Sequence, residues 1–411
     1  NNVVYISYDV EEGSPYTVGK INFEGMKLFN PDLVAAKLAL QKGVVASSKT
    51  IDEAKKFVED SYSALGYIDT VVDIVPVPDD SSDTPVMDFL VSVSESEKTM
   101  VNNIVIRGNT RTLDKVIRRE LLLDPGDVFS GVDLDRSIRR LKNLGYFADV
   151  SYTTLNTNED NVRDLIIELE ERSTGSVMVG VGYSSVDHLT GFFEISESNF
   201  DILNWDNFRG AGQKARLSLS ASSDNTDVEA SFTEPWLFDK RLALNIEGYY
   251  RTREYNEYDQ TRFGGSIGLS KHIPWVGRVG LAYTFEQVKL DDFLDGEFTF
   301  ADDPNKTFRY SDEDDKYLLG SLKLTWTYDT RNNSMIPTSG TRAVAFGKIY
   351  SEALGGDYDM YELDFNIRNY QSLPWGHVLS LYAHAKVIDS FDDDVVIPIG
   401  NRYFLGGGRE T

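Results

Sequence analysis

From Gly175 onward, apolar and polar positions alternate in long runs. Between Tyr317 and Asp329, the residues Leu318, Gly320, Leu322, Leu324, Trp326 and Tyr328 interleave with Ser321, Lys323, Thr325, Thr327 and Asp329. Successive side chains of an extended strand point to opposite faces, so a period of two predicts a strand with one apolar and one wet surface. Leu242, Leu244, Ile246 and Tyr250 oppose Asn245, Glu247 and Arg251 in the same way, and Tyr361, Leu363, Phe365 and Ile367 oppose Glu362, Asp364, Asn366 and Arg368. Strands are predicted near 175–184, 190–198, 212–222, 226–235, 240–252, 260–271, 278–290, 317–329, 341–351, 358–370 and 377–388. They are long, and nearly all put charge on the polar face. That is the requirement of an antiparallel transmembrane β-barrel, with lipid outside and water within. A soluble sandwich also alternates, with its apolar face turned inward; strand length and charge favour the barrel. Short connections (Ser223–Asp227, Ile273–Gly277, Ser372–Gly376) contrast with long ones (Asp291–Lys316, Asp389–Thr411), an asymmetry such barrels share.

The first part of the chain follows another pattern, an internal repeat with a period of about 80 residues. One copy opens with Val18-Gly-Lys-Ile-Asn-Phe-Glu-Gly25 and the other with Val101-Asn-Asn-Ile-Val-Ile-Arg-Gly108, each a strand closed by glycine. A short helix should follow in each. Asn30 and Pro31 start one that leads into Leu33–Leu40, and Thr112 and Asp114 precede the other at Val116–Leu123. A second helix places Ala54, Phe57, Val58, Tyr62 and Leu65, or Leu134, Ile138, Leu141 and Leu144, on one face. Both end in Leu-Gly-Tyr, the glycine reading as a helix stop. Two strands finish each unit, Thr70–Val77 with Val86–Val93 and Val150–Leu155 with Arg163–Leu169. The β-α-α-β-β order predicts a small α+β domain, two helices on a three-stranded sheet. The expected boundaries are 14–98 and 99–173 for the repeats and 174–411 for the barrel. Residues 1–13 would be the last strand of a preceding domain, and the opening at Asn1 suggests a trimmed N-terminus.

Composition narrows the function. The 411 residues include no cysteine, which removes disulfides, thiol catalysis and Cys-ligated zinc. A net charge of −25 argues against nucleic acid as a partner, since that needs a basic footprint. The 22 tyrosines suit a membrane–water boundary. No apolar run approaches the roughly 18 residues of a transmembrane helix, which barrels do not need.

Local patterns offer little chemistry. Gly264-Gly-Ser-Ile-Gly268 matches a nucleophile elbow, but that motif needs a strand-to-helix turn and here lies inside an alternating strand. Gly210-Ala-Gly212 precedes a strand and reads as a turn. The acidic runs Asp312–Asp315 and Asp392–Asp394 lack EF-hand spacing and read as solvated loops. No catalytic set, metal site or cofactor is expected.

In this setting the repeats resemble POTRA domains, and several stretches resemble the barrel of the Omp85 superfamily: Asn207-Phe-Arg-Gly-Ala-Gly-Gln213, Glu234-Pro-Trp-Leu-Phe238, Tyr328-Asp-Thr-Arg331 with Pro337-Thr-Ser-Gly340, and Arg402-Tyr-Phe-Leu-Gly-Gly407. The resemblance covers essentially the whole chain. It implies a bacterial outer-membrane location with the repeats in the periplasm. It also implies assembly and insertion of client β-barrel proteins, or, as the alternative, polypeptide translocation or secretion by a two-partner-secretion or TamA-like member. The implied partners are unfolded outer-membrane proteins, periplasmic lipoprotein subunits and the lipid bilayer. The second strand of a POTRA repeat is an edge, so Val150, Ser151, Tyr152, Thr153 and Thr154 are candidates for pairing with a client strand, as is Thr70–Val77; the other readings are a solvated edge or a contact with a neighbouring domain. Arg118, Arg119 and Glu120, expected on a helix, are a candidate partner patch or a solvated face. The first barrel strand would form one side of a lateral seam, with Gly175, Val177, Val179, Gly180, Gly182 and Tyr183 as its residues. Its inner glycines weaken pairing or only permit curvature. Asp389–Thr411 resembles the first limb of the family's inward-folding loop, whose Arg-Gly-Phe tip is not in this sequence. The family's barrel has more strands than the eleven read here, so the last ones are expected beyond Thr411.

Overall fold

Each N-terminal repeat folds around its last strand. The first contains β1 (Thr17–Glu24), α1 (Pro31–Ala35), α2 (Ser48–Ser63), β2 (Val71–Pro78) and β3 (Val86–Ser94), with sheet order β1-β3-β2. The second contains β4 (Met100–Arg107), α3 (Asp114–Arg118), α4 (Gly131–Leu144), β5 (Phe147–Asn156) and β6 (Val162–Glu171), with order β4-β6-β5. The first strand of each pairs parallel to the central strand and the second antiparallel. The computed structural model describes residues 15–79, 85–184, 188–255, 258–293, 297–299, 307–309, 315–392 and 396–403, and falls into two units, Asn1–Ser173 and Thr174–Thr411.

The long helices form as their patterns require. Ser47 accepts the Thr50 amide at 3.2 Å while Thr50 Oγ1 accepts the Ser47 amide at 3.0 Å, a reciprocal cap that starts α2 two residues before Thr50. Ser130 caps α4, and Gly145 ends it with φ +74°. Ala54, Val58 and Tyr62 pack on Val72, Phe89 and Val91, and Leu134, Ile138 and Leu141 on Val150, Leu165 and Ile167. Leu65 lies off this face and is exposed. The first helices are shorter than their apolar stretches suggest. After Ala35, the Gln41 side chain donates to the carbonyls of Ala35, Ala36 and Leu38, which ends α1 and lets irregular chain bury Leu38 and Leu40. The α3 helix starts after Leu113 without a side-chain cap, because leucine offers no acceptor; the Thr112 amide before it donates to Glu171 at 2.7 Å.

Both first strands carry a bulge, between Val18 and Ile21 and between Val101 and Ile104. A carboxylate on the adjacent strand fills each: Asp88 accepts the Lys20 amide at 2.6 Å, and Asp164 accepts the Asn103 amide at 3.1 Å.

The second unit is an eleven-stranded antiparallel sheet: β7 (Gly175–Ser184), β8 (His188–Phe200), β9 (Gln213–Ala221), β10 (Asn225–Glu234), β11 (Ala243–Glu254), β12 (Asp259–Ile273), β13 (Gly277–Asp291), β16 (Lys316–Asp329), β17 (Gly340–Tyr350), β18 (Met360–Ser372) and β19 (Val378–Ser390). A small hairpin of β14 (Glu297–Thr299) and β15 (Thr307–Arg309) lies between β13 and β16. Every strand of the large sheet pairs with its neighbours in this sequence order. The root end is where β7 begins; the opposite, loop end carries the longest connection, 292–315. The asymmetry is only partial, since the short turn within Ser223–Asp227 also lies there and the root turns 201–212 and 330–339 are long. Leu281, Leu324, Leu363 and Leu381 stand exposed on the apolar face. The polar face carries a transverse row of ion pairs, with Arg216 joined to Glu194 at 2.9 Å and Glu229 at 3.7 Å, and Arg251 to Glu229 at 3.2 Å.

Candidate functional site

The candidate edges are where backbone groups have no strand partner. Among the described residues, β2 pairs only with β3 and β5 only with β6. Ser151, Tyr152, Thr153 and Thr154 lie along β5, with Ser151, Tyr152 and Thr153 exposed. Val150 is different: it is 2 % exposed and its side chain belongs to the core, so only its backbone is available at the edge. Arg118, Arg119 and Glu120 do not form a helix face. The α3 helix ends at Arg118, which donates to Asp114 and to the Ile104 carbonyl at 3.3 Å; Arg119 is its C-cap, and Glu120 is in the following turn. The helix stops early because Leu123 must turn into the core.

Strand β7 pairs along its whole length with β8, from Gly175 opposite Glu197 to Ser184 opposite His188, and with no other strand among the described residues. Val177, Val179 and Tyr183 share its apolar face and are exposed. Gly180 and Gly182 lie on the other face and differ. A Cβ on Gly180 would lie 2.3 Å from the Phe192 ring, so this glycine opens a slot for an aromatic side chain; a Cβ on Gly182 would meet nothing within 4 Å. Gly175 sits beside the ion pair of Arg209 and Glu197, whose atoms are 2.7 Å apart.

A third feature matches the inward-folding loop that the resemblance implied for Asp389–Thr411, but its contacts were not foreseen. At the loop end, the polar face of the sheet carries a cluster that includes Val288, Leu290, Tyr317, Leu319 and Met360. Residues 396–403, after β19, return across this face and put Ile399 into the cluster. Arg262 holds the returning segment by donating to the Gly400 carbonyl and to Asn401 Oδ1 at 3.3 Å, and the Tyr317 hydroxyl donates to Asn401 at 3.1 Å. Glu286 pairs with Arg262 at 3.3 Å and accepts from the Tyr249 hydroxyl at 2.7 Å. Tyr249 reaches it across Gly264, where a Cβ would lie 2.5 Å from that of Glu286. The first glycine of the false nucleophile elbow therefore clears a path for a hydrogen bond. Farther along, Glu362 accepts from Tyr350 at 3.0 Å and from Tyr403. Period two places Arg262, Glu286 and Tyr249 on one face; the fold adds which side chains hold the returning segment there. No cluster of three potential metal ligands occurs among the described residues, and the acidic runs 312–315 and 392–394 lie mostly outside them. No described helix is long and apolar enough to cross a membrane, a test that does not bear on strands.

Comparison with known proteins joins the two architectures. A family model described as a surface antigen variable number repeat, the POTRA repeat, matches residues 16–96 and 99–172, and one for the Omp85 superfamily domain matches 207–410. The chain belongs to the Omp85 superfamily. This Omp85 chain is 26% identical over 410 residues to outer membrane protein assembly factor BamA of Nitratidesulfovibrio vulgaris, covering 98% of itself and 49% of that protein. It is 28% identical over 288 residues to a putative outer membrane protein assembly factor of Treponema pallidum, covering 69% of itself and 34% of that protein. It thus spans about half or less of these relatives. A crystal structure of BamA from Haemophilus ducreyi lacking POTRA domains 1–3 has the same fold, with a TM-score of 0.67 at 22% identity, over 92% of this chain and 71% of that one.

Proposed function

We propose that this Omp85 chain lies in the bacterial outer membrane, with the POTRA repeats in the periplasm, and assembles client β-barrel proteins there. One observation carries the reading: a single alignment of 410 residues takes both repeats and the sheet of this chain onto a relative named as an outer membrane protein assembly factor. The physical arrangement suits that work. The exposed leucines of the apolar face need lipid, and a chain entering lipid must have its backbone groups paired. Edges β2 and β5 offer unfolded clients a strand to pair with before they reach the membrane. Ser151, Tyr152, Thr153 and Thr154 act through the β5 edge, and β7, with Gly175, Val177, Val179, Gly180, Gly182 and Tyr183, is one side of the seam at which client strands are templated. Unfolded outer-membrane proteins and periplasmic lipoprotein subunits are the proposed partners. The driving energy comes from strand pairing and burial of client apolar surface, with no covalent step.

The test is reconstitution of the full-length protein in liposomes with an unfolded client barrel. Client folding should be faster than in empty liposomes. Equal rates, or a stable conductance that exports one cognate protein and folds no client, would overturn the reading.

A further inference from the structure

Five turns at the root end of the sheet, over residues 201–212, 235–242, 274–276, 330–339 and 373–377, carry bare apolar tips. Leu203 and Trp205, Phe238, Trp275, Met335 with Ile336, and Trp375 are the exposed tips in turn; Trp275 is 98 % exposed and Trp375 92 %. The chain has five tryptophans. Four of them, Trp205, Trp236, Trp275 and Trp375, are in these turns. The fifth, Trp326, lies near the root end of β16 and donates its indole N–H to the Val276 carbonyl at 2.8 Å. Among the described residues, the connections at the opposite end carry Asp224, Asp292, Asp315, Asp357 and Asp359, with Phe391 and Val396 exposed after the last strand.

Backbone conformation marks four of the five turns. Phe208, Phe238, Trp275 and Trp375 have φ of +56°, +55°, +68° and +63°. Trp275 and Trp375 each follow a proline, and in such turns the left-handed position usually goes to glycine. A bulky side chain there is disfavoured, and neither indole gains burial within the protein.

We propose that the five turns form an apolar rim that inserts into the headgroup layer of the periplasmic leaflet and fixes the height of the sheet in the bilayer. The inference rests on the membrane reading of the sheet. The occupant is lipid because the tips recur hairpin after hairpin and continue the apolar face, through Trp326 stacked on Tyr328 at 6.1 Å. A repeated band fits a planar layer, where a protein partner would need one concentrated patch. Indoles settle at the boundary between hydrocarbon and headgroups. Lys240 and Arg241 beside Phe238, and Lys271 and Arg278 beside Trp275, bring cations to this end of an acidic chain, and Arg241 lies 5.3 Å from the Trp236 ring centre. Asp206 and Asp239 also lie at this end.

The full-length protein would be placed in phosphatidylethanolamine–phosphatidylglycerol vesicles whose acyl chains carry bromine close to the ester groups. Single-tryptophan variants would keep Trp275 or Trp375 and replace the others by phenylalanine. The proposal expects blue-shifted emission, loss of intensity to the brominated lipid and little quenching by aqueous acrylamide. Water-like emission quenched by acrylamide alone overturns it, and so does protection that appears only when an unfolded client polypeptide is added. A Leu324→Trp reporter on the apolar face separates the two claims. If it is quenched by bromine and Trp275 is not, the rim fails alone; if neither is quenched, the membrane reading fails with it. Should the single-tryptophan variants not fold, Trp275→Phe in the otherwise unmodified protein serves: bromine-sensitive emission falls if the rim is inserted and is unchanged if it is not.

Discussion

Glu95 and Glu171 stand at the ends of the central strands of their repeats, and each gathers the amides that follow the glycine closing the first strand. Glu95 accepts from the Lys27 and Leu28 amides, both at 2.7 Å, and from the Tyr62 hydroxyl at 2.7 Å. Glu171 accepts from the amides of Thr110 and Arg111 at 3.0 Å and Thr112 at 2.7 Å, and from the Thr110 hydroxyl at 2.8 Å. Burial pushes each carboxyl up, but these hydrogen bonds together outweigh it and hold both below the usual glutamate value. The stability they add is therefore present above the unfolded value of about 4.3 and is lost as pH falls through the lower folded value. Glu171→Gln should cost about 1–2 kcal/mol locally, seen as faster amide exchange at residues 110–112 at pH 7; unchanged exchange would refute the role. Gly25 and Gly108 were legible as turn residues because a backbone turn leaves its mark locally. The carboxylates were not, since Glu171 and Thr112 meet only after the sheet forms. Val150 taught the same lesson in reverse: an alternating strand shows which residues share a face, and which face meets the core depends on α4.

At the scale of the element, all eleven long strands were readable because membrane strands expose one face to lipid and one to water, and period two records that contrast. Their loop-end stretches were less so. Tyr317 and Leu319 fall on the polar face of β16 yet are 1 % and 0 % exposed, because residues 396–403 cover them. Arg262 anchors that cover through the Gly400 carbonyl and Asn401, and the Tyr317 hydroxyl donates to Asn401. Arg262→Ala should free the segment by removing the donor to the Gly400 carbonyl and Asn401, giving protease cleavage within 396–403 in folded, membrane-inserted protein. Equal resistance would show that the segment is held elsewhere. The short helices were overestimated for a comparable reason, since Gln41 ends α1 through bonds that apolar periodicity does not record.

Across the whole molecule, the proposed activity divides between receiving a client at the repeats and folding it at the sheet. Proline scanning of β5 tests that division. Successive amides of an edge strand point alternately to the partner strand and outward, so of Thr153→Pro and Thr154→Pro one should disturb the β5–β6 ladder and the other should block only the free edge. The second kind should slow client folding in the liposome assay severalfold, as expected for loss of β-augmentation, while the protein's own membrane insertion is unchanged. No effect from either substitution would remove β5 from the client's path. The strand order also sets a timetable for the protein's own folding. In each repeat the first strand pairs with the last, Thr17 with Val86 and Met100 with Val162, so neither domain can close until nearly all of it has been delivered. Each strand of the large sheet pairs with the strand before it, mostly across a short turn. Such contacts carry a low loop-closure cost, so the sheet can grow by one strand at a time and hold its register while still incomplete.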